Sequence, residues 1–153
     1  METDKVMTEY TLGLIFDKEM ESVLLIRKNR GPEQNIGKWN GLGGKIEQGE
    51  LVLHSLSREI KEECGLVINP SDWKKVVSIY EIYRWKMWVE YTKVDRTTLF
   101  EARTLEDEIV QVFKVDGGFL LDSGNQLAEN IAWMVALCID MERKNFQANF
   151  RRA

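Results

Sequence analysis

The chain begins with two short apolar runs, Tyr10 to Phe16 and Val23 to Ile26, separated by the polar stretch Asp17 to Glu21. β-branched and leucine-rich runs of this length around a polar break predict a hairpin or two neighbouring strands. Lys28 to Gly44 is polar and contains Gly31, Gly37, Gly41 and Gly43, which predicts a loop with room for a short strand near Trp39. Leu53, Leu56, Ile60 and Cys64 then recur at helical spacing over Leu51 to Cys64, and Gly65 supplies a left-handed stop. Pro70 and a capping-type Ser71 turn the chain within Asn69 to Asp72.

Val76 to Val94 is rich in strand-forming residues. In its second half Tyr83, Trp85, Met87, Val89 and Tyr91 alternate with Arg84, Lys86, Trp88, Glu90 and Thr92, so Trp85 falls on the core face and Trp88 on the polar face. A run this long exceeds the usual strand of about 5 to 6 residues, which implies two strands or one bulged strand. Ile109 to Val115 predicts another strand, after the acidic Glu106, Asp107 and Glu108. Gln126 to Met141 carries Leu127, Ile131, Met134, Val135, Cys138 and Ile139 at the spacing of a helix packed on a core.

These elements fit one domain over residues 1–153, with no internal repeat or linker. No apolar run reaches the ~20 residues of a membrane span, and Met1 to Thr8 lacks the pattern of a secretory signal, so a cytoplasmic, membrane-free protein is expected. Cys64 and Cys138 belong to no C-x-x-C or zinc spacing and are expected as reduced, partly buried thiols. A net charge of −4 and a pI near 5.2 argue against sequence-blind nucleic-acid binding. The basic residues Arg143, Lys144, Arg151 and Arg152 near the chain end read as a solvated terminus.

The candidate chemistry lies in Gly44-Lys-Ile-Glu-Gln-Gly-Glu50 and Arg58-Glu59-Ile60-Lys61-Glu62-Glu63-Cys64-Gly65-Leu66. Glu59, Glu62 and Glu63 are three and four residues apart, which crowds their carboxylates on one helical face beside the apolar stripe. Like charges so placed repel unless a hard divalent cation joins them, and oxygen ligands without histidine or cysteine favour Mg²⁺, or Mn²⁺, over zinc. The glycine loop brings backbone groups close, and Lys45 adds a cation. Alone, three glutamates are more often a solvated helix face.

The whole stretch fills every specified position of Gly-x5-Glu-x7-Arg-Glu-(aliphatic)-x-Glu-Glu-x-Gly-(aliphatic), and so resembles the Nudix box over Gly44 to Leu66. With the Trp39-Asn40-Gly41-Leu42-Gly43 lead-in and the order of strands and closing helix, the chain is similar to MutT-type domains. The resemblance implies an α/β/α sandwich with a central mixed sheet, and a Mg²⁺ ion held by Glu59, Glu62, Glu63 and the Gly43 carbonyl. It implies hydrolysis of a phosphoanhydride in a nucleoside diphosphate derivative, with Glu59 as ligand or general base and Arg58 holding neighbouring carboxylates. A further acidic ligand from beyond the box is assigned to Glu108 in preference to Glu106 and Asp107.

Gly44, Lys45, Arg27 and Lys28 are candidates for the phosphates, and Asn40 and Asn130 for the base, since an amide both donates and accepts. Trp39-Asn40-Gly41 resembles oxidised purine triphosphatases, although the Trp-Pro-Asp-Asp segment of the mammalian type is missing. A (deoxy)nucleoside triphosphate is the first expectation. ADP-ribose, NADH, dinucleoside polyphosphates and a non-catalytic nucleotide-binding role are the alternatives, and monomer and homodimer are both compatible.

Overall fold

The computed structural model describes residues 7–122 and 124–152, with side chains as far as residue 145. The start of the Met1 to Thr8 stretch and the side chains of Arg151 and Arg152 lie outside the described residues. The strands are β1 (Thr8–Asp17), β2 (Ser22–Arg27), β3 (Trp39–Asn40), β4 (Lys74–Glu81), β5 (Trp85–Val94) and β6 (Val110–Lys114). The helices are α1 (Val52–Cys64), α2 (Arg96–Leu99), α3 (Gly117–Leu121) and α4 (Ile131–Arg152). Among the described residues no helix is long and apolar enough to cross a membrane.

The sheet is mixed, in the order β3-β2-β1-β5-β4, with β6 also paired to β2. β1 runs parallel to β5 along its whole length, and the other pairs are antiparallel. Alternation along β1 sends Leu12, Leu14 and Phe16 to one face, where they meet Val89, Tyr91, Met134, Val135 and Cys138 under α4. Ile15 points the other way, into a second core with Leu24, Leu56, Ile60, Cys64 and Trp73 under α1. Burial on both faces makes the α/β/α sandwich. Both cysteines are buried and free.

The Val76 to Val94 run forms two strands, one of the two expected arrangements, and three further readings are corrected. The run breaks at Ile82–Arg84, where Tyr83 adopts a left-handed conformation (φ 64°) and is 81% exposed. Trp85 follows this turn as the first residue of β5. It is half-buried rather than core, and its indole N–H donates to Glu81 (3.1 Å). The last helix begins at Ile131, not Gln126. Gln126 to Ala128 instead run alongside Trp39, whose N–H donates to Gln126 O (2.9 Å) and whose carbonyl accepts from Ala128 N–H (2.8 Å). At the turn before β4, Asn69 rather than Ser71 is the cap, its side chain accepting from Ser71 N–H (3.1 Å).

Candidate active site

β1 and β2 pair only over Ile15–Leu24 and Phe16–Val23, and the segment leading into the box wedges in where they part. Gly13 N–H donates to Leu42 O (2.6 Å) and Thr11 N–H to Gly44 O (2.8 Å). The wedge demands glycine. A Cβ on Gly43 (φ 145°) would lie 2.1 Å from the Thr11 carbonyl oxygen, and one on Gly44 would lie 2.7 Å from the Glu59 carboxylate. The first obstacle is backbone, and the second is the end of a side chain.

α1 carries the carboxylates up to this wedge and stops at Gly65, whose left-handed residue donates its N–H to Lys61 O (3.1 Å). Glu63 does not lie beside the apolar stripe as its spacing suggested. It lies on that stripe, three residues after Ile60, and is only 4% exposed. The Gly43 N–H, donating to Glu63 Oε1 (2.8 Å), makes that position tolerable for a carboxyl group. Burial nevertheless pushes the Glu63 pKa up to about 8, against the opposing pull of the Gly43 N–H and the Lys28 charge. Burial also raises Glu59, which Arg58 only partly offsets.

Arg58 spans the remaining carboxylates. Its guanidinium forks onto Glu50 (2.7 and 3.0 Å) and reaches Glu59 (3.1 Å), Glu62 (3.2 Å) and the Lys45 carbonyl (3.5 Å). The fork holds the Glu50 pKa down to about 2. Sequence reasoning gave Glu50 no role, because it precedes α1 and shares no helical period with Arg58.

Glu108 is 4% exposed, but its oxygens are engaged by the Lys28 ammonium (2.9 Å) and the Asn29 N–H (2.7 Å). Glu106 in the same loop is the acid whose charge acts on both Glu59 and Glu63. Lys28 is therefore tied to Glu108, while Arg27 at the end of β2 and Lys45 in the box loop are exposed.

The donor set of Glu59, Glu62 and Glu63 is hard oxygen, which fits a divalent cation of the Mg²⁺ type, and the buried Glu63 is a carboxyl whose charge such an ion would stabilise. Among the described residues no three acidic, histidine or cysteine side chains are already gathered tightly enough to form a metal cluster.

The two amide candidates separate. Asn40 turns its own Oδ1 onto the Gly41 N–H (2.8 Å), shaping the wedge. Asn130 is exposed with φ 69°, its carbonyl accepts the Met134 N–H (2.9 Å) to start α4, and it lines a cleft of about 520 Å³. Gln34, Asn35, Lys38, Leu127 and Trp133 share that cleft. Asn35 Oδ1 is buried there without a hydrogen-bond partner among the described residues. Trp133, 53% exposed, was legible as a bulky aromatic off the Ile131, Met134, Val135 and Cys138 stripe.

Residues 8–134 match the family described as the NUDIX domain, and the chain belongs to that family. It is similar to the oxidized purine nucleoside triphosphate hydrolase of Mus musculus, with 42% identity over 60 residues, covering 39% of this chain and 36% of that protein. It is also similar to the 8-oxo-dGDP phosphatase NUDT18 of Homo sapiens, with 33% identity over 89 residues, covering 58% of this chain and 25% of that protein. These matches thus span about a third and a quarter of the relatives' lengths. The fold is shared with a MutT NUDIX hydrolase from Burkholderia pseudomallei (TM-score 0.66, 22% identity, covering 85% of this chain and 96% of that one). MutT from Aliivibrio salmonicida and Vibrio cholerae gives a TM-score of 0.62 at 18% identity, covering 85% and 94%.

Proposed function

We propose that this domain is a Mg²⁺-dependent pyrophosphohydrolase that cleaves a nucleoside triphosphate, with an oxidised purine as the first candidate base, into the monophosphate and pyrophosphate. The observation that carries this reading is the convergence on the glycine wedge of Glu63, bonded to Gly43, and Glu59, packed under Gly44. Glu59, Glu62, Glu63 and the Gly43 carbonyl are the groups assigned to the cation, with Mn²⁺ able to replace Mg²⁺. When bound, the ion neutralises phosphate charge and makes a coordinated water more acidic.

Glu59, its carboxyl raised by burial, is suited to take the proton of the attacking water as the phosphorus–oxygen anhydride bond breaks. Arg58 keeps Glu59 and Glu62 in place through its anchor on Glu50. Lys45, Gly44 and Arg27 are assigned to the phosphates. Asn40 shapes the wedge, and Asn130 with the amide-rich cleft is assigned to the base, because side-chain amides both donate and accept. Glu108 is assigned to support the acidic loop, and Glu106 is the loop carboxylate closest in effect to the box.

The similarity to an oxidized purine nucleoside triphosphate hydrolase and to an 8-oxo-dGDP phosphatase supports an oxidised purine as the base. The reading extends to a cytoplasmic enzyme whose partner is a small nucleotide rather than nucleic acid. A screen of nucleoside triphosphates, 8-oxo-dGTP and 8-oxo-dGDP among them, with Mg²⁺ tests it. Pyrophosphate release from a triphosphate is expected, and orthophosphate release alone would move cleavage to the outer bond.

A further inference from the structure

We infer that Lys28 is a positioning residue that joins the wall of the amide-rich cleft to the acidic loop of residues 104–109, so that a ligand in the cleft and a divalent cation at the box carboxylates strengthen each other's binding. The inference rests on the reading of the cleft as the base site.

Lys28 acts through two different groups. Its backbone closes the loop that forms the cleft wall: Lys28 N–H donates to Lys38 O (3.0 Å), and Gly37 N–H donates to Lys28 O (2.7 Å). Gln34, Asn35 and Lys38 of that loop line the cleft. Its ammonium, three-quarters buried, binds Glu108 Oε1, while the next residue donates its N–H to Glu108 Oε2. Asn29 Nδ2 and Arg30 each reach Asp107 at 3.3 Å, so three successive residues grip two successive acids.

The far side of the acidic loop is fixed to its own strand, Val110 N–H donating to Thr104 Oγ1 (3.1 Å). The two loops lie 80 residues apart in sequence at the Lys28–Glu108 pair, yet one cannot shift without stretching a buried charged contact of the other. The acidic loop is also tied to the end of α1 that carries the carboxylates: Arg103 N–H, just before the loop, donates to the carbonyl of Cys64, the residue after Glu63 (3.1 Å). Whichever ligand arrives first orders the shared unit, and the second then meets a lower ordering cost, a coupling that must be reciprocal.

Guanosine and Mn²⁺ are the probes, because a ligand without phosphates cannot bridge to the ion and any coupling must run through the protein. Mn²⁺ titrations with and without saturating guanosine are expected to show roughly fivefold tighter Mn²⁺ binding in the wild type. Lys28→Met should abolish this factor and Lys28→Arg restore it. Amide hydrogen exchange should accelerate in residues 29–38 and 104–109 together in Lys28→Met. If that variant fails to fold, Glu108→Gln, which keeps an acceptor for Asn29, takes its place with the same expectations. Undiminished coupling in Lys28→Met, or acceleration confined to one segment, would overturn the inference. Failure of guanosine to bind the wild type would instead refute the cleft as base site, and the exchange pattern alone would then decide the role of Lys28.

Discussion

Adding one methyl group at each of two adjacent glycines should give opposite outcomes. In Gly43→Ala the new Cβ lies 2.1 Å from the Thr11 carbonyl oxygen, a fixed backbone atom of β1, at a φ of 145° that only glycine occupies comfortably. Backbone strain and overpacking each cost about 1–3 kcal/mol, so a loss of roughly 3 kcal/mol or more is expected. In a domain of this size that lowers Tm by roughly 6–12 °C. Gly44→Ala places its Cβ 2.7 Å from the Glu59 carboxylate, which can swing aside. Its stability should change by less than about 1 kcal/mol, with the reduced freedom of the unfolded chain partly offsetting the contact. Displacing a catalytic carboxylate by about 1 Å, however, costs on the order of 100-fold in rate. Thermal melts and Mg²⁺-dependent triphosphate turnover on both variants separate the effects. Full activity in Gly44→Ala, or a larger loss of Tm there than in Gly43→Ala, would refute the geometry assigned to the wedge.

Two other outcomes follow from the site. Burial keeps Glu63 protonated in the folded chain up to about pH 8, well above its unfolded value of 4.5, so the folded state holds the extra proton between those limits. In chelator, stability should therefore fall as pH rises from about 4.5 to about 8 and then level off, while Mn²⁺ affinity should climb by up to about tenfold per pH unit below 8. An affinity flat from pH 6 to 8 would contradict the place of Glu63 among the ligands. Asn130→Ala should keep metal binding but lose about 1–3 kcal/mol of discrimination among bases, roughly tenfold to a hundredfold in relative kcat/KM. An equal fall for every triphosphate would mean only that the start of α4 had been damaged.

What local pattern encodes was legible before the structure. The β1 and β2 runs, the stop of α1 at Gly65 and the β6 strand follow from alternation, helical spacing and a glycine. The errors arise where a distant segment decides. Leu127 has helical spacing, but Trp39 holds Gln126 and Ala128 in extended pairing. The alternation of Tyr83 and Trp85 continues straight through a turn, because period-two patterning does not register the left-handed backbone that Tyr83 adopts there. Glu63 reads from its spacing as a metal-binding carboxylate beside the apolar stripe, and its burial becomes evident only when the Gly43 N–H, 20 residues earlier in the chain, is placed against it. Glu108 was chosen from the sequence as a further acidic ligand, and the partners that engage its oxygens, Lys28 and Asn29, lie on another segment that its local sequence does not reveal.

The most direct test of the account is Mg²⁺-dependent turnover of a nucleoside triphosphate by Glu62→Gln and Glu63→Gln, alongside circular dichroism to verify the fold. Each exchange removes a ligand charge at nearly constant volume, and loss of several kcal/mol of transition-state stabilisation predicts a fall of more than ~100-fold in kcat/KM with the fold intact. Turnover near the wild-type level in both variants at saturating Mg²⁺ would contradict the claim that the box carboxylates hold the catalytic cation.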